Sequence, residues 1–309
     1  MRKIDQTAAG WVAPEPGAVA RALAAAGVAG AVLDILPRDD RFAARLPGER
    51  MAWFPAGPRG LKRLRRERRV LRLLAATCDF RVPVVTHEAP EGWDVRDLVA
   101  GPFEPGAVYE RVKADPGFAR RLGAQMGAVL AAQHGVPTHS LVNRLPTRPG
   151  WPESRAYVRR RLPQVTDDAP LTARALAVTE AYLAAEAGSV DRVLVHADFG
   201  FHNLVIDPRS GRLHGVFDYD GAALADPAHD FKYMLLDDED ETLLEAAIAA
   251  YEPAAGAALD RARIRLLNAA SAVTFLAFRA GAAPAERPAG RTLAEDLRWT
   301  RLAMARAGF

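Results

Sequence analysis

Between residues 196 and 230 the chain reads HADFGFHNLVIDPRSGRLHGVFDYDGAALADPAHD, a concentration of His, Asp and Asn at spacings that core packing does not call for. Val193, Leu194 and Val195 form an apolar run that stops at His196; His196, Ala197 and Asp198 then enter a loop, and Asn203 follows five residues past Asp198. Residues 204–206 and 213–217 are short strand candidates joined by Asp207-Pro208-Arg209-Ser210-Gly211, residue types that favour a turn. A hairpin folds its two ends back on each other, so Asn203 and Asp218 should emerge opposite one another with Asp198 just upstream. Two carboxylates and an amide oxygen then converge. Such an all-oxygen set suits a hard cation such as Mg²⁺, which keeps several waters and is held by one or two carboxylates together with substrate phosphates. The remaining carboxylate is free to act as a base.

Composition leaves room for this reading. The 309 residues, 50% of them hydrophobic, suffice for two modest domains or one large one with a sizeable core. Because 41 basic residues nearly cancel 38 acidic ones, the net charge of +3 gives no general reason to expect a nucleic-acid or membrane partner. Cys78 is the only cysteine, which excludes an intramolecular disulfide and a Cys-based zinc site and fits a reducing compartment. Residues 1–6 lack the apolar segment of a signal peptide, and apolar runs elsewhere are broken by charge, so the expectation is a soluble, cytoplasmic protein.

Taken in order, a helix over residues 18–26 precedes three strand-like segments, 28–36, 41–46 and 50–54, separated by turns at Asp39-Asp40 and Pro47-Gly48-Glu49. Residues 60–76 follow as a helix whose Leu64, Leu71 and Leu74 share a stripe with Glu67. A carboxylate facing inward needs a charged or hydrogen-bonded partner. The other face, with Arg59, Lys62, Arg63, Arg65, Arg66, Arg68, Arg69 and Arg72, reads as a solvated basic face, since no aromatic stacking pattern accompanies it. Two more strands over 81–87 and 93–99 complete an antiparallel sheet of about five strands, and Ala100-Gly101-Pro102 marks a hinge. Beyond it the chain turns helical: 118–134, 155–162, 172–187, and, past the hairpin, 241–251, 261–279 and 291–306, the last two separated by a loop over 281–290.

This pattern resembles the aminoglycoside phosphotransferase and choline kinase branch of the protein-kinase-like fold. The resemblance covers residues 28–279 and is carried by His196-x-Asp198-x-x-x-x-Asn203, by Phe217-Asp218, and by Asp226-Pro227 with Asp230; Glu67 looks like the helix-C glutamate, Gly101 like the hinge glycine, and residues 122–134 like the helix ending in Leu-x-x-x-His. It implies an α+β, bilobal fold, with residues 1–100 as a nucleotide-binding lobe and residues 101–309 as a catalytic and acceptor-binding lobe. It further implies a kinase that uses ATP or GTP with Mg²⁺ to phosphorylate a hydroxyl of a small molecule, an antibiotic such as an aminoglycoside or basic peptide above all, or a choline- or sugar-like primary metabolite. By the same resemblance Asp198 orients or deprotonates the hydroxyl, His196 braces the loop, Asn203 and Asp218 hold Mg²⁺ on the nucleotide phosphates, and Glu67, Val99 and Gly101 belong to the nucleotide site; Asp220, two residues past Asp218 along an extended segment, is a candidate for a water-mediated metal contact. Asp226 and Asp230 are expected to cap and tether the following helix.

One departure stands out. The family carries a Lys or Arg on its third strand, paired with the helix glutamate, whereas Arg50-Met51-Ala52-Trp53-Phe54-Pro55 puts an aromatic there, Phe54 or Trp53 according to register. The viomycin-type antibiotic phosphotransferases are similar in having an apolar residue at that point. Arg50, Arg59 and Lys62 are the candidate substitutes, and a nucleotide-binding pseudokinase without transfer activity is the alternative function. A metallohydrolase built on His196, Asp198 and His202 lacks the second His/Asp cluster that such sites need, and His202, His214 and His229 read as scattered structural side chains. The acidic run from Asp237 to Glu241 reads as carboxylates favoured at a helix N-terminus, with an electrostatic funnel for a cationic acceptor as the rival reading.

Overall fold

The computed structural model describes residues 15–38, 40–188, 192–281 and 290–309; Asp39 of the expected first turn, most of the loop over 281–290, and residues 1–6 lie outside the described residues. Strands β1 (Asp34–Arg38), β2 (Arg41–Leu46), β3 (Arg50–Pro55), β4 (Val84–Glu88) and β5 (Asp94–Asp97) form an antiparallel sheet in the order β1-β2-β3-β5-β4. Period-two alternation sorts its side chains. Phe42, Ala44, Leu46, Ala52, Phe54 and Val95 fall on one face and are buried against Val19 and Leu23 of helix α1 (Pro16–Ala25). Phe54 stacks between Phe42 and Trp93, with ring centroids 4.9 and 5.1 Å away.

Arg41, Trp53, Asp94 and Arg96 have the opposite parity, and this is the face on which helix α2 (Pro58–Thr77) brings its buried Glu67 and Arg68. The first strand begins later than the residue run 28–36 suggested, because Gly27 and Gly30 take positive φ values of 70° and 128° that interrupt an extended segment. Pro37 sits in β1, where it is tolerated because β1 is an edge strand.

The rest of the chain is mainly helical: α3 (Pro105–Ala114), α4 (Pro116–His134), α5 (Arg155–Arg161), α6 (Ala169–Ala187), then α7 (Ala228–Phe231), α8 (Thr242–Ala255), α9 (Arg261–Phe278) and α10 (Leu293–Arg306). Helix α4 starts where Asp115 accepts the backbone N–H groups of Gly117 and Phe118 at 2.9 and 3.0 Å. It lies against α8 so closely that a Cβ on Gly127 would stand 2.0 Å from the Ala247 carbonyl oxygen. Glycine there permits the packing that aims the C-terminal end of α4, with Gln133 and His134, at the loop after Val195. Four short strands sit between the helices: β6 (Val193–Val195) pairs antiparallel with β9 (Ala223–Ala225), and β7 (Leu204–Ile206) pairs with β8 (Leu213–Val216) as the expected hairpin. Helix α3 and strand β9 were not anticipated: α3 is short, and β9 has only three residues.

Candidate active site

Strand β6 delivers His196 into a loop whose backbone is unusual at one residue: Ala197 has φ 72°, a left-handed conformation that a non-glycine side chain disfavours. The surroundings hold it there. The buried Asp230 carboxylate accepts the N–H of Ala197 at 2.7 Å on Oδ1, and on Oδ2 the N–H of His196 at 2.8 Å, Gln133 Nε2 at 2.9 Å and His134 Nε2 at 3.1 Å. Asp230 therefore tethers the loop rather than capping its own helix, whereas Asp226 does cap, accepting the Ala228 N–H at 2.9 Å. The sequence alone could not show this, since residue 230 reaches the loop only through tertiary folding. His196, itself buried, accepts the Asp198 N–H on Nδ1 at 3.2 Å and places Nε2 2.9 Å from the Phe217 carbonyl, so that one imidazole ties the Asp198 loop to the residue before Asp218.

The Asp198 side chain is 32% exposed, within reach of a small molecule. Burial pushes its carboxyl up, but the proximity of His202, whose Nε2 lies 3.2 Å from Asp198 Oδ2, together with the charges of Lys232 and His196, outweighs burial and brings it down to about 2. Asn203 donates from Nδ2 to the Asp198 carbonyl at 2.8 Å and to Asp198 Oδ2 at 3.1 Å, which leaves Oδ1 as its acceptor atom. The hairpin brings Asp218 alongside, for the Phe217 N–H donates to the Asn203 carbonyl at 3.0 Å. Asp218 is the second left-handed non-glycine residue of the site, at φ 65°. The Asp220 carboxylate pairs with Arg41 and Arg63. Among the described residues no three His, Cys, Asp or Glu side chains gather into a metal site.

Across the cleft, Glu67 is buried and doubly paired. Arg96 Nη1 reaches its Oε1 at 2.9 Å and Arg41 Nη1 its Oε2 at 3.3 Å. Neither arginine is among the candidates that sequence spacing suggested. Arg50 instead donates to the Pro47 and Ala29 carbonyls at 3.1 and 2.8 Å, Arg59 is 85% exposed beside Asp40, and Lys62 is exposed. Arg41 and Arg96 stand on the strands flanking β3, diagonal to Trp53, and their guanidinium carbons lie 5.1 and 5.6 Å from its ring centroid. Trp53, not Phe54, is thus the residue on the Glu67 face, and it serves as a platform for two cations. Arg96 is also bonded to Asp94 at 2.6 Å, and these carboxylates overcome burial to hold its pKa further above the ordinary arginine value. Arg68, buried on α2, adds bonds to Asp94 at 2.9 Å and to the Gly92 carbonyl at 2.8 Å.

Gly101 and Val99 bring the two parts together. Gly101 has φ 149°, and a Cβ there would lie 2.8 Å from Val205 Cγ1 of β7; a Cβ on Gly215 of β8 would lie 2.8 Å from Val99 Cγ1. The hinge therefore packs on the hairpin that carries Asn203 and Asp218. His202, which its scattered surroundings in sequence marked as structural, lies beside Asp198, four residues on in a tight 3₁₀ turn. His229 does have a structural place, buried 3.2 Å from Glu186. The two ends of the acidic run are paired within the chain: Asp237 receives the Tyr109 hydroxyl, Lys113 at 3.1 Å and Arg291 at 3.2 Å, and Glu241 receives Arg265 at 2.7 Å. Asp240 caps Thr242 at 2.7 Å. No helix among the described residues is long and apolar enough to cross a membrane.

No curated protein matches the sequence. Solved structures do match the fold. The GDP complex of aminoglycoside 2'-phosphotransferase-IIIa is 16% identical, with a TM-score of 0.67 over 96% of this chain and 100% of that one. The streptomycin and ATP complex of APH(2")-IIa is 16% identical, with a TM-score of 0.60 over 86% and 91%. The macrolide 2'-phosphotransferase MphH from Brachybacterium faecium is 20% identical, with a TM-score of 0.57 over 94% and 97%. These likenesses concern the fold. The sequence profile described as the phosphotransferase enzyme family matches residues 38–267, which takes in Arg41, Glu67, Arg96 and the whole stretch from His196 to Asp230. With that match added to the bilobal α+β architecture, the chain belongs to the phosphotransferase enzyme family and is an O-phosphotransferase.

Proposed function

We propose that this protein moves the γ-phosphate of ATP or GTP to a hydroxyl of a small-molecule antibiotic, an aminoglycoside, macrolide or basic peptide, as a resistance or self-protection enzyme. The observation that carries the reading is that the segment bearing Asp198, Asn203 and Asp218 is joined, through the Asp220–Arg41 ion pair, to the cluster of Arg41, Arg96 and Glu67. Phosphoryl transfer asks for in-line positioning and for cations along the phosphates rather than for much proton chemistry. Residues 1–100 form the nucleotide lobe in this reading, with Val99 and Gly101 at the hinge, and Arg41 and Arg96 face the phosphates from either side of Trp53. An aromatic in place of the strand lysine is the motive for the pseudokinase alternative, and the two guanidinium groups beside that aromatic speak for the transferase reading.

With its carboxyl brought down to about 2, Asp198 is ionised throughout the physiological range and is a weak base. Its work is orientation: it accepts a hydrogen bond from the substrate hydroxyl, aims that oxygen at phosphorus, and receives the proton as the new bond forms. Asn203 Oδ1 and the Asp218 carboxylate are hard oxygen donors on adjacent hairpin ends and fit Mg²⁺, whereas Asp220 is engaged by two arginines. Mg²⁺ bound there supplies charge neutralisation along the transferred phosphate.

The test is incubation with Mg-ATP or Mg-GTP and a panel of aminoglycosides, macrolides, basic peptide antibiotics, choline and simple sugars, read by mass spectrometry for a phosphorylated product. A product from one acceptor, lost in Asp198→Asn, is the expected result. Nucleotide binding without consumption of either donor against any acceptor would overturn the reading and leave a nucleotide-binding protein without transfer.

A further inference from the structure

Lys232 is the one buried lysine among the described residues, and above it enters only through its charge near Asp198. It begins the 3₁₀ turn after α7, its side chain runs to the underside of the Asp198 loop, and its Nζ donates to the His229 carbonyl at 2.9 Å and to the Ala197 carbonyl. Two carbonyls take two of the three ammonium donors. The ammonium also lies 4.5 Å from the centroid of the Tyr233 ring. Its own backbone carbonyl is fixed by Asn268 Nδ2 at 2.7 Å, from α9. The peptide groups on either side of Ala197, the left-handed residue between His196 and Asp198, are thus gripped by opposite charges two residues apart in sequence: Asp230 takes the N–H and Lys232 takes the carbonyl.

We infer that Lys232 is a positioning residue for phosphoryl transfer: its ammonium holds the Ala197 carbonyl and thereby sets the direction of the Asp198 carboxylate. The inference rests on the reading that Asp198 faces the acceptor hydroxyl. An ammonium buried away from water is costly, and an apolar side chain of similar length would fill the same space without that cost. The cost is visible, since burial brings the Lys232 pKa down to about 8 against the opposing pull of Asp230, Asp198 and Glu186. The groups facing it are Asp230 and His229 from α7, Asp198 from the loop, Glu186 from α6 and the Tyr233 ring, while α9 contributes the neutral Asn268. A lysine whose pKa is lowered is charged below that value and neutral above it, so the grip on Ala197 weakens as pH rises past about 8.

The experiment compares wild type, K232M and K232R by steady-state kinetics across neutral and alkaline pH, by nucleotide titration, and by crystal structures of both variants. K232M is expected to bind nucleotide within ~3-fold of wild type and to lose ~100-fold in kcat, the size seen when one preorganised polar contact is removed. Ala197 should leave its left-handed conformation. Wild-type kcat should fall above pH about 8, and K232R, whose guanidinium does not titrate there, should keep turnover without that limb. A K232M enzyme with undiminished kcat, an unmoved Ala197 in its structure, or a wild-type alkaline limb that persists in K232R would overturn the inference. Should K232M not fold, K232R and the wild-type pH profile decide in the same way. A wild type that phosphorylates nothing while Ala197 moves in K232M counts against the phosphotransfer reading and not against the grip.

Discussion

Replacing Asp230 by Asn keeps the shape of the side chain and removes one acceptor from a carboxylate that serves four donors. Three of them, His196 N–H, Gln133 Nε2 and His134 Nε2, converge on Oδ2 within 2.8 to 3.1 Å, while the Ala197 N–H alone binds Oδ1 at 2.7 Å. The amide will therefore keep its oxygen toward the three and turn its NH₂ toward Ala197, setting donor against donor. A charge-assisted hydrogen bond is worth about 1.5–3 kcal/mol and a buried N–H left unsatisfied costs about 1–3 kcal/mol, so Asp230→Asn should destabilise the fold by roughly 3–5 kcal/mol.

For a chain of this length that corresponds to a melting temperature lower by about 5–8 °C, and Ala197, freed of its N–H partner, should relax with loss of turnover. The pH dependence carries the same signature. Burial alone would raise the Asp230 carboxyl, but the bonds and charges of His134 and His196 outweigh it and hold it below the ordinary 3.8. A carboxyl lowered on folding contributes stability that is complete above its unfolded pKa and is lost as pH falls below it, so the variant should lose part of the acid sensitivity of wild type. Urea unfolding at neutral and acidic pH measures both effects. A variant within about 1 kcal/mol of wild type at neutral pH, less than a single charged hydrogen bond is worth, would refute the assignment of Asp230 as the tether of the loop.

Other substitutions separate the two sides of the cleft. Asp198→Asn should abolish transfer while nucleotide affinity stays within ~3-fold, because in the proposed reading the side chain orients the acceptor and not the donor; isothermal titration with a non-hydrolysable analogue checks this. Arg41→Met and Arg96→Met should each weaken nucleotide binding by about tenfold, near 1.4 kcal/mol, whereas Arg50→Met should leave it unchanged. Gly101→Ala combines a disfavoured φ of 149° with a Cβ 2.8 Å from Val205 Cγ1 and should cost about 1–3 kcal/mol in thermal unfolding.

Local chemistry made half of the site legible in advance. Asp207, Pro208, Ser210 and Gly211 specify a turn, the flanking apolar residues specify its strands, and a hairpin has one geometry that places Asn203 beside Asp218. Glu67 was readable as buried because helical periodicity set it on a leucine stripe, and it is buried. Its partners were not readable. Arg41 and Arg96 lie 26 and 29 residues from Glu67 on different strands, and only the register of β2, β3 and β5 puts them diagonal to Trp53 on one face. His202, in turn, looked incidental until the 3₁₀ turn brought it against Asp198.

The sequence by itself determined the elements whose geometry is local: the amphipathic helices, the turn of the β7–β8 hairpin, and the convergence of Asn203 and Asp218 at its open end, because side-chain periodicity and turn chemistry act over a few residues. Tertiary structure decided how charge is distributed across the cleft. Strand register chose Arg41 and Arg96 over Arg50, and the packing of α7 behind the loop let Asp230 and Lys232 hold Ala197 from opposite sides. Burial makes such pairings energetically decisive, and burial belongs to the folded chain as a whole.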